Sequence, residues 1–184
     1  MSVVTPASAA KNGLSRSGLY RAARAGRYDR IARGVYLSSA AVADWDLVEA
    51  AARRPDATIC LISALVQHDL SDAIPESLDV AIPRGARPPA TKAAIAWHHF
   101  DVASFELGRV DMVIPGVDLS IGIYSPERCI VDAFRLRGQF GYETARDALK
   151  EWLRRGGKPA DLMDIAQQLP RARTPVLRAL ELLA

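Results

Sequence analysis

The chain has 184 residues, 49% of them hydrophobic and 24% charged. That balance belongs to a folded protein whose core is large enough to exclude any need for disulfide or metal staples. The net charge of +3 hides an asymmetry, because residues 1–40 hold seven basic side chains against one acid, Asp29, while the rest of the chain holds 17 basic and 20 acidic ones. A basic head on a mildly acidic body predicts that one end meets a polyanion and the other does not.

The opening Met-Ser-Val-Val-Thr-Pro has neither the basic start nor the apolar stretch of a secretory signal. No apolar run approaches the roughly 18 residues of a membrane span. A cytoplasmic protein without membrane contact is expected. Cys60 and Cys129 both lie in apolar surroundings and read as buried thiols in a reducing compartment, not as a disulfide. No CxxC or His/Cys cluster offers a zinc site, and the adjacent His98 and His99 lack ligand-spaced company, so neither metal nor cofactor is expected.

In chain order, Thr5-Pro6 predicts a helix start, with a hydroxyl cap before proline at the first helical position, and Gly13 predicts its end. Ser15 offers a second cap, a helix follows from Arg16 to Ala23 or Arg24, and Gly26 stops it. Helix, glycine turn and helix within about twenty residues is the helix-turn-helix pattern. On the second helix, Leu19, Ala22 and Ala23 fall on one side and Arg16, Ser17, Tyr20, Arg21 and Arg24 largely on the other. These last are side chains suited to base edges and phosphates in the major groove of double-stranded DNA. Two β-prone pieces then flank Arg33-Gly34 and predict a hairpin wing, whose Arg27, Arg30 and Arg33 would touch the phosphate backbone or the minor groove. A basic face that is merely solvated is the plain alternative, but caps, glycines and wing all agree with one another.

Residues 3–36, running from Val-Val-Thr-Pro-Ala through Gly-Leu-Ser-Arg-Ser-Gly-Leu-Tyr-Arg to Arg-Gly-Val-Tyr, resemble the N-terminal winged helix of AbiEi-type antitoxins. The stretch Ser63 to Leu70 resembles the family's Ser-Ala…His-Gly-Leu helix, with Asp69 where glycine is usual. Residues 123–135 resemble its strand-to-helix element. The resemblance implies a type IV toxin–antitoxin system whose toxin is a nucleotidyltransferase that need not form a stable complex with its antitoxin. Winged helices ordinarily carry one more helix ahead of the one at Pro6. Only five residues precede it here, so either that helix is absent or another part of the chain, or a partner subunit, covers the exposed face.

Beyond a small-residue linker, Asp46 to Arg54 predicts a helix closed by Pro55, and Ile59 to Leu70 predicts another despite its β-branched start. Ser77–Pro83, Ala94–Phe100, Val110–Ile114 and Leu119–Ile123 predict strands. Ser125-Pro126-Glu127 opens the first of four closing helices, followed by 142–155, 160–169 and 175–183. The expected architecture is α+β: a winged helix-turn-helix over 1–40, then over 45–184 a mixed α/β domain with a mostly antiparallel sheet and a helical C-terminal tail.

No catalytic constellation emerges. Phosphate-cradling glycine loops are missing, as are the Gly-Ser with Asp-x-Asp of a nucleotidyltransferase and the acid followed by Glu-x-Lys of a metal nuclease. His68 reads as a satisfied core histidine and Asp132 as a hydrogen-bonding helix residue. The expected function is a DNA-binding antitoxin and autorepressor of its own operon, acting on inverted repeats as monomer or dimer and counteracting a nucleotidyltransferase toxin. The alternatives are a ligand-responsive transcription factor without a toxin and, behind it, a DNA-directed nuclease.

Overall fold

The computed structural model describes residues 3–183, the side chains of Gln139 and Phe140 apart. At the N-terminus, Thr5-Pro6 opens a turn and not an α-helix. Thr5 and Ser8 cap each other, the Thr5 N–H donating to Ser8 Oγ at 2.9 Å and the Ser8 N–H to Thr5 Oγ1 at 3.1 Å. A 3₁₀ turn, Ala9–Asn12, follows, and Gly13 ends it with φ +68°. The six residues between Pro6 and that glycine leave room for little more than one turn after the Thr5–Ser8 cap, and the 3₁₀ form common in such short pieces takes it. Helix α1 (Arg16–Arg24) starts where expected, with Ser15 Oγ accepting from the Gly18 N–H at 3.0 Å.

Strands β1 (Tyr28–Ala32) and β2 (Val35–Ser38) form an antiparallel hairpin around Arg33-Gly34, where Gly34 takes φ +74°. Val4 adds a bridge to Tyr36, with backbone bonds of 2.8 and 2.9 Å. Leu19, Val4, Ala9 and Tyr36 close a small apolar cluster. Ile31 and Leu37 instead join the main core with Leu47, Ala50 and Ala51 of α2 (Trp45–Arg53). Helix α2 packs against the hairpin on one side and against the central sheet on the other. The chain itself therefore supplies a helix that covers the hairpin.

The central sheet has five strands: β3 (Thr58–Ile59), β4 (Leu78–Pro83), β5 (Ile95–Phe100), β6 (Arg109–Val113) and β7 (Ser120–Tyr124), in the order β5-β4-β3-β7-β6. Two pairings are antiparallel (β3–β4, β6–β7) and two are parallel (β3–β7, β4–β5). The expectation of a mostly antiparallel sheet is corrected to a mixed one. Two causes are visible. Ile59, expected to open a helix, is fully buried with Thr58 as the middle strand, and α3 (Leu61–Gln67) begins only after them. The proline-rich connection after Pro83 is a crossover and not a hairpin, long enough to return β5 parallel to β4.

The helical tail consists of α4 (Pro126–Arg135), a single-turn α5 (Arg137–Phe140) that the sequence did not suggest, α6 (Tyr142–Arg154), α7 (Pro159–Gln168) and α8 (Arg173–Leu183). Helix α4 is its hub, packed against α3, α6, α7 and α8. Ser125 caps it and proline opens it, and every residue from Arg128 to Phe134 is buried. Its large apolar side chains each contribute about 1.5–3 kcal/mol through burial. Cys60 and Cys129 are buried free thiols, and burial pushes both well above the ordinary thiol pKa.

Candidate nucleic-acid interface

Helix α1 sorts its side chains by the 3.6-residue period. Leu19 and Ala22 are fully buried against the head's small cluster, whereas Arg16, Ser17, Tyr20, Arg21 and Arg24 are exposed along one face. Nine residues at about 1.5 Å each give a rod of about 14 Å, a length that fits the roughly 12 Å width of a major groove. Ser17 Oγ lies 3.1 Å from the capping Ser15 Oγ at the start of this rod.

The hairpin brings its own cations beside that face. Arg27, Arg30 and Arg33 are all exposed. Arg16, Tyr20, Arg30 and Arg33 line one concavity together with Pro6, Gly34 and Tyr36. Its base is an edge-to-face contact of Tyr20 on Tyr36, with ring centroids 6.1 Å apart. Tyr36 is buried, so it fixes the angle between helix and hairpin while Tyr20 keeps one side in solvent. Arg21, Arg24 and Arg27 lie outside this concavity. Tyr36 and Pro6 are the contributors that sequence reasoning missed. The available signal was local: Tyr36 follows the Arg33-Gly34 turn on β2, and Pro6 follows the Thr5 cap.

Charge decides what this surface does chemically. None of the six arginines of the head joins an ion pair among the described residues, and Asp29, the one acid of residues 1–40, is exposed and pairs with none of them. Apart from a long 3.4 Å contact from Arg30 Nε to the Ala32 carbonyl, their guanidiniums are free to bind an external acceptor. A planar guanidinium without an ion pair can bind a phosphate or a guanine edge bidentately, and here six stand on a helix and its adjoining hairpin.

The body's polar residues are engaged internally. His68 Nε2 lies 2.8 Å from the Tyr124 carbonyl. Asp132 is buried between Arg128 and Arg135, and Asp79 receives His98 at 2.8 Å as well as Ser63. His99 lies 3.0 Å from the Ala86 carbonyl. Among the described residues, no group of three or more His, Cys, Asp or Glu is arranged to hold a metal ion, and no helix is long and apolar enough to cross a membrane.

Residues 1–39 match the family model described as transcriptional regulator, AbiEi antitoxin. The exposed face of α1 and the hairpin both lie inside the matched segment. The match ends before α2, so it characterises the head and leaves the body without a family assignment. The crystal structure of the RV2827C protein from Mycobacterium tuberculosis is similar to this chain over almost its whole length. The TM-score is 0.63 at 17% identity, covering 98% of this chain and 72% of that one. At that identity the likeness is one of fold alone, and it extends through the body. No curated protein sequence shows a significant match.

Proposed function

We propose that the chain is a DNA-binding antitoxin and transcriptional autorepressor, working in the cytoplasm on the operator of its own type IV toxin–antitoxin operon. Residues 1–40 act as a winged helix-turn-helix on double-stranded DNA, and residues 45–184 carry the antitoxin function. The observation that supports this best is the concavity shared by α1 and the hairpin, where Arg16 and Tyr20 meet Arg30 and Arg33 with no acid to neutralise them. Arg16, Ser17, Tyr20, Arg21 and Arg24 read the major groove; Arg27, Arg30 and Arg33 hold the backbone and set the register of the helix. The body serves recognition and not catalysis, and it opposes a nucleotidyltransferase toxin without requiring a stable complex. An inverted-repeat operator would engage two heads, from two monomers or from a dimer.

A two-plasmid assay tests this reading. The promoter upstream of the gene drives a reporter, and the neighbouring nucleotidyltransferase is induced from the second plasmid. The intact chain is expected to silence the reporter and to restore growth. The double variant Arg16→Ala, Arg21→Ala is expected to lose silencing and keep the rescue of growth. Silencing that survives both changes would contradict the assignment of α1, and failure to restore growth would contradict the antitoxin role.

A further inference from the structure

Behind the C-terminal ends of β4 and β5 lies a cavity of about 590 Å³, walled in part by Arg84, His98, Phe100, Arg128, Arg135 and Gln168. Arg128 is completely buried. Its Nε donates to Asp132 Oδ2 at 2.8 Å, and its Nη1 donates to the carbonyls of Ser104 and Leu107 at 2.8 and 2.7 Å. The guanidinium also lies over Tyr124 and Phe100, at 4.5 and 5.6 Å from their ring centroids. Its Nη2 has no hydrogen-bond partner among the described residues. A buried charged donor left unsatisfied is costly, and native structures retain one where something else completes it.

Charge counting gives the sign of what is missing. Asp132 is shared: its Oδ1 accepts from Arg135 at 2.7 Å while its Oδ2 serves Arg128. Two guanidiniums thus share one carboxylate, and the cluster carries one uncompensated positive charge beside a cavity. Asp79 stands outside the lining of this cavity, with its oxygens facing His98 and the Ser63 amide and hydroxyl. Asp101 at the rim stands 3.6 Å from Arg84, and both side chains are mostly in solvent.

We infer that this cavity binds a small oxyanion, phosphate or carboxylate, held by Arg128 and Arg135 in its floor with Arg84 closing the rim. Planar guanidiniums that converge on one cavity match the geometry of these two groups. A nucleic-acid backbone fits less well, because the unsatisfied donor is buried and Asp101 guards the entrance.

Calorimetric titration of the full-length chain tests this, in a chloride buffer, with inorganic phosphate, pyrophosphate and succinate as probes. The double variant Arg16→Ala, Arg21→Ala serves as background to reduce anion binding by the head, and Arg135→Gln is made within it so that the cavity's share is read by difference. One saturable event per chain is expected, weakened at least about tenfold, or about 1.4 kcal/mol, in Arg135→Gln with its circular dichroism spectrum unchanged. Should that variant not fold, Arg84→Gln at the exposed rim gives the same reading. A preference for pyrophosphate identifies a phosphorylated ligand, and a preference for succinate identifies a carboxylate. The inference is overturned if no probe saturates at millimolar concentration, if binding survives both Arg135→Gln and Arg84→Gln, or if it is seen only with the unaltered head. None of these outcomes depends on whether the head represses a promoter.

Discussion

In the head, Arg16, Arg21, Arg24, Arg27, Arg30 and Arg33 stand in solvent without ion pairs among the described residues, while in α4 Arg128 is sealed from solvent and makes three hydrogen bonds within the fold. The residue type is the same and the physical situations are opposite. An exposed guanidinium costs the fold almost nothing and keeps its donors for an external phosphate. A buried one has lost its hydration and must recover the loss from Asp132, two carbonyls and two aromatic faces. Composition alone cannot separate these uses. Position relative to the apolar stripe of each helix does.

The comparison is broken most severely at Arg128. Arg128→Ala strands Asp132 in the core with Arg135 as its remaining cation, and the expected loss is about 3–5 kcal/mol in urea denaturation. A loss below 1 kcal/mol, on the order of a surface substitution, would mean that the buried pair contributes nothing. Next comes the contact between the linker and the β6–β7 turn. Gly116 has φ +83°, and a Cβ there would lie 2.1 Å from the Val42 carbonyl oxygen. Gly116→Ala is expected to cost about 2–4 kcal/mol, from overpacking plus the left-handed backbone.

Changes in the head should act on binding and leave folding alone. Arg21→Ala is expected to weaken operator affinity by about 1–3 kcal/mol and to relax sequence preference, with stability unchanged within about 0.5 kcal/mol. Competition between operator and mutated operators checks it, and equal losses on every sequence would move Arg21 to the backbone. A smaller effect belongs to Glu49, a carboxylate on α2 that is buried where the hairpin meets the body. Burial alone would raise its pKa, but the Ala93 amide, Arg53 and the Lys92 amide outweigh it and hold the group below the usual carboxylate range. A lowered folded pKa means that the stabilisation is present above the unfolded value near 4.5 and disappears as pH falls through the folded one. Glu49→Gln should therefore cost about 1–2 kcal/mol at neutral pH and progressively less in acid. A cost that is constant with pH would contradict the charge-based account. The smallest effect expected is that of Arg30→Ala, which should flatten the salt dependence of binding by about one unit of slope on all DNA alike.

The head was the legible part of the sequence because its signals are local: a cap at Ser15, glycines at turn positions and a helical period in the arginines. The body was less so, for reasons that are also physical. Thr58-Ile59 is too short to announce a strand beside a seven-residue helix, and its role as the middle strand is set by partners far along the chain. The same distance dependence hid the mixed order of the sheet. The Pro6 helix failed because capping signals do not report length. Arg128 and Asp132 did leave a mark, opposite charges four residues apart inside an otherwise apolar stretch, which is the spacing of a helical ion pair. What the sequence could not give is that the pair is buried, since burial follows from α4 being surrounded by four other helices.

The most direct test of the central claim is fluorescence anisotropy of the full-length chain on the DNA upstream of its own gene, at low and physiological salt, with excess unrelated DNA present. Binding that resists the competitor, weakens as salt rises and is lost in the Arg16→Ala, Arg21→Ala double variant is the result predicted. Affinity no better than that for the competitor, or unchanged in that variant, would contradict it.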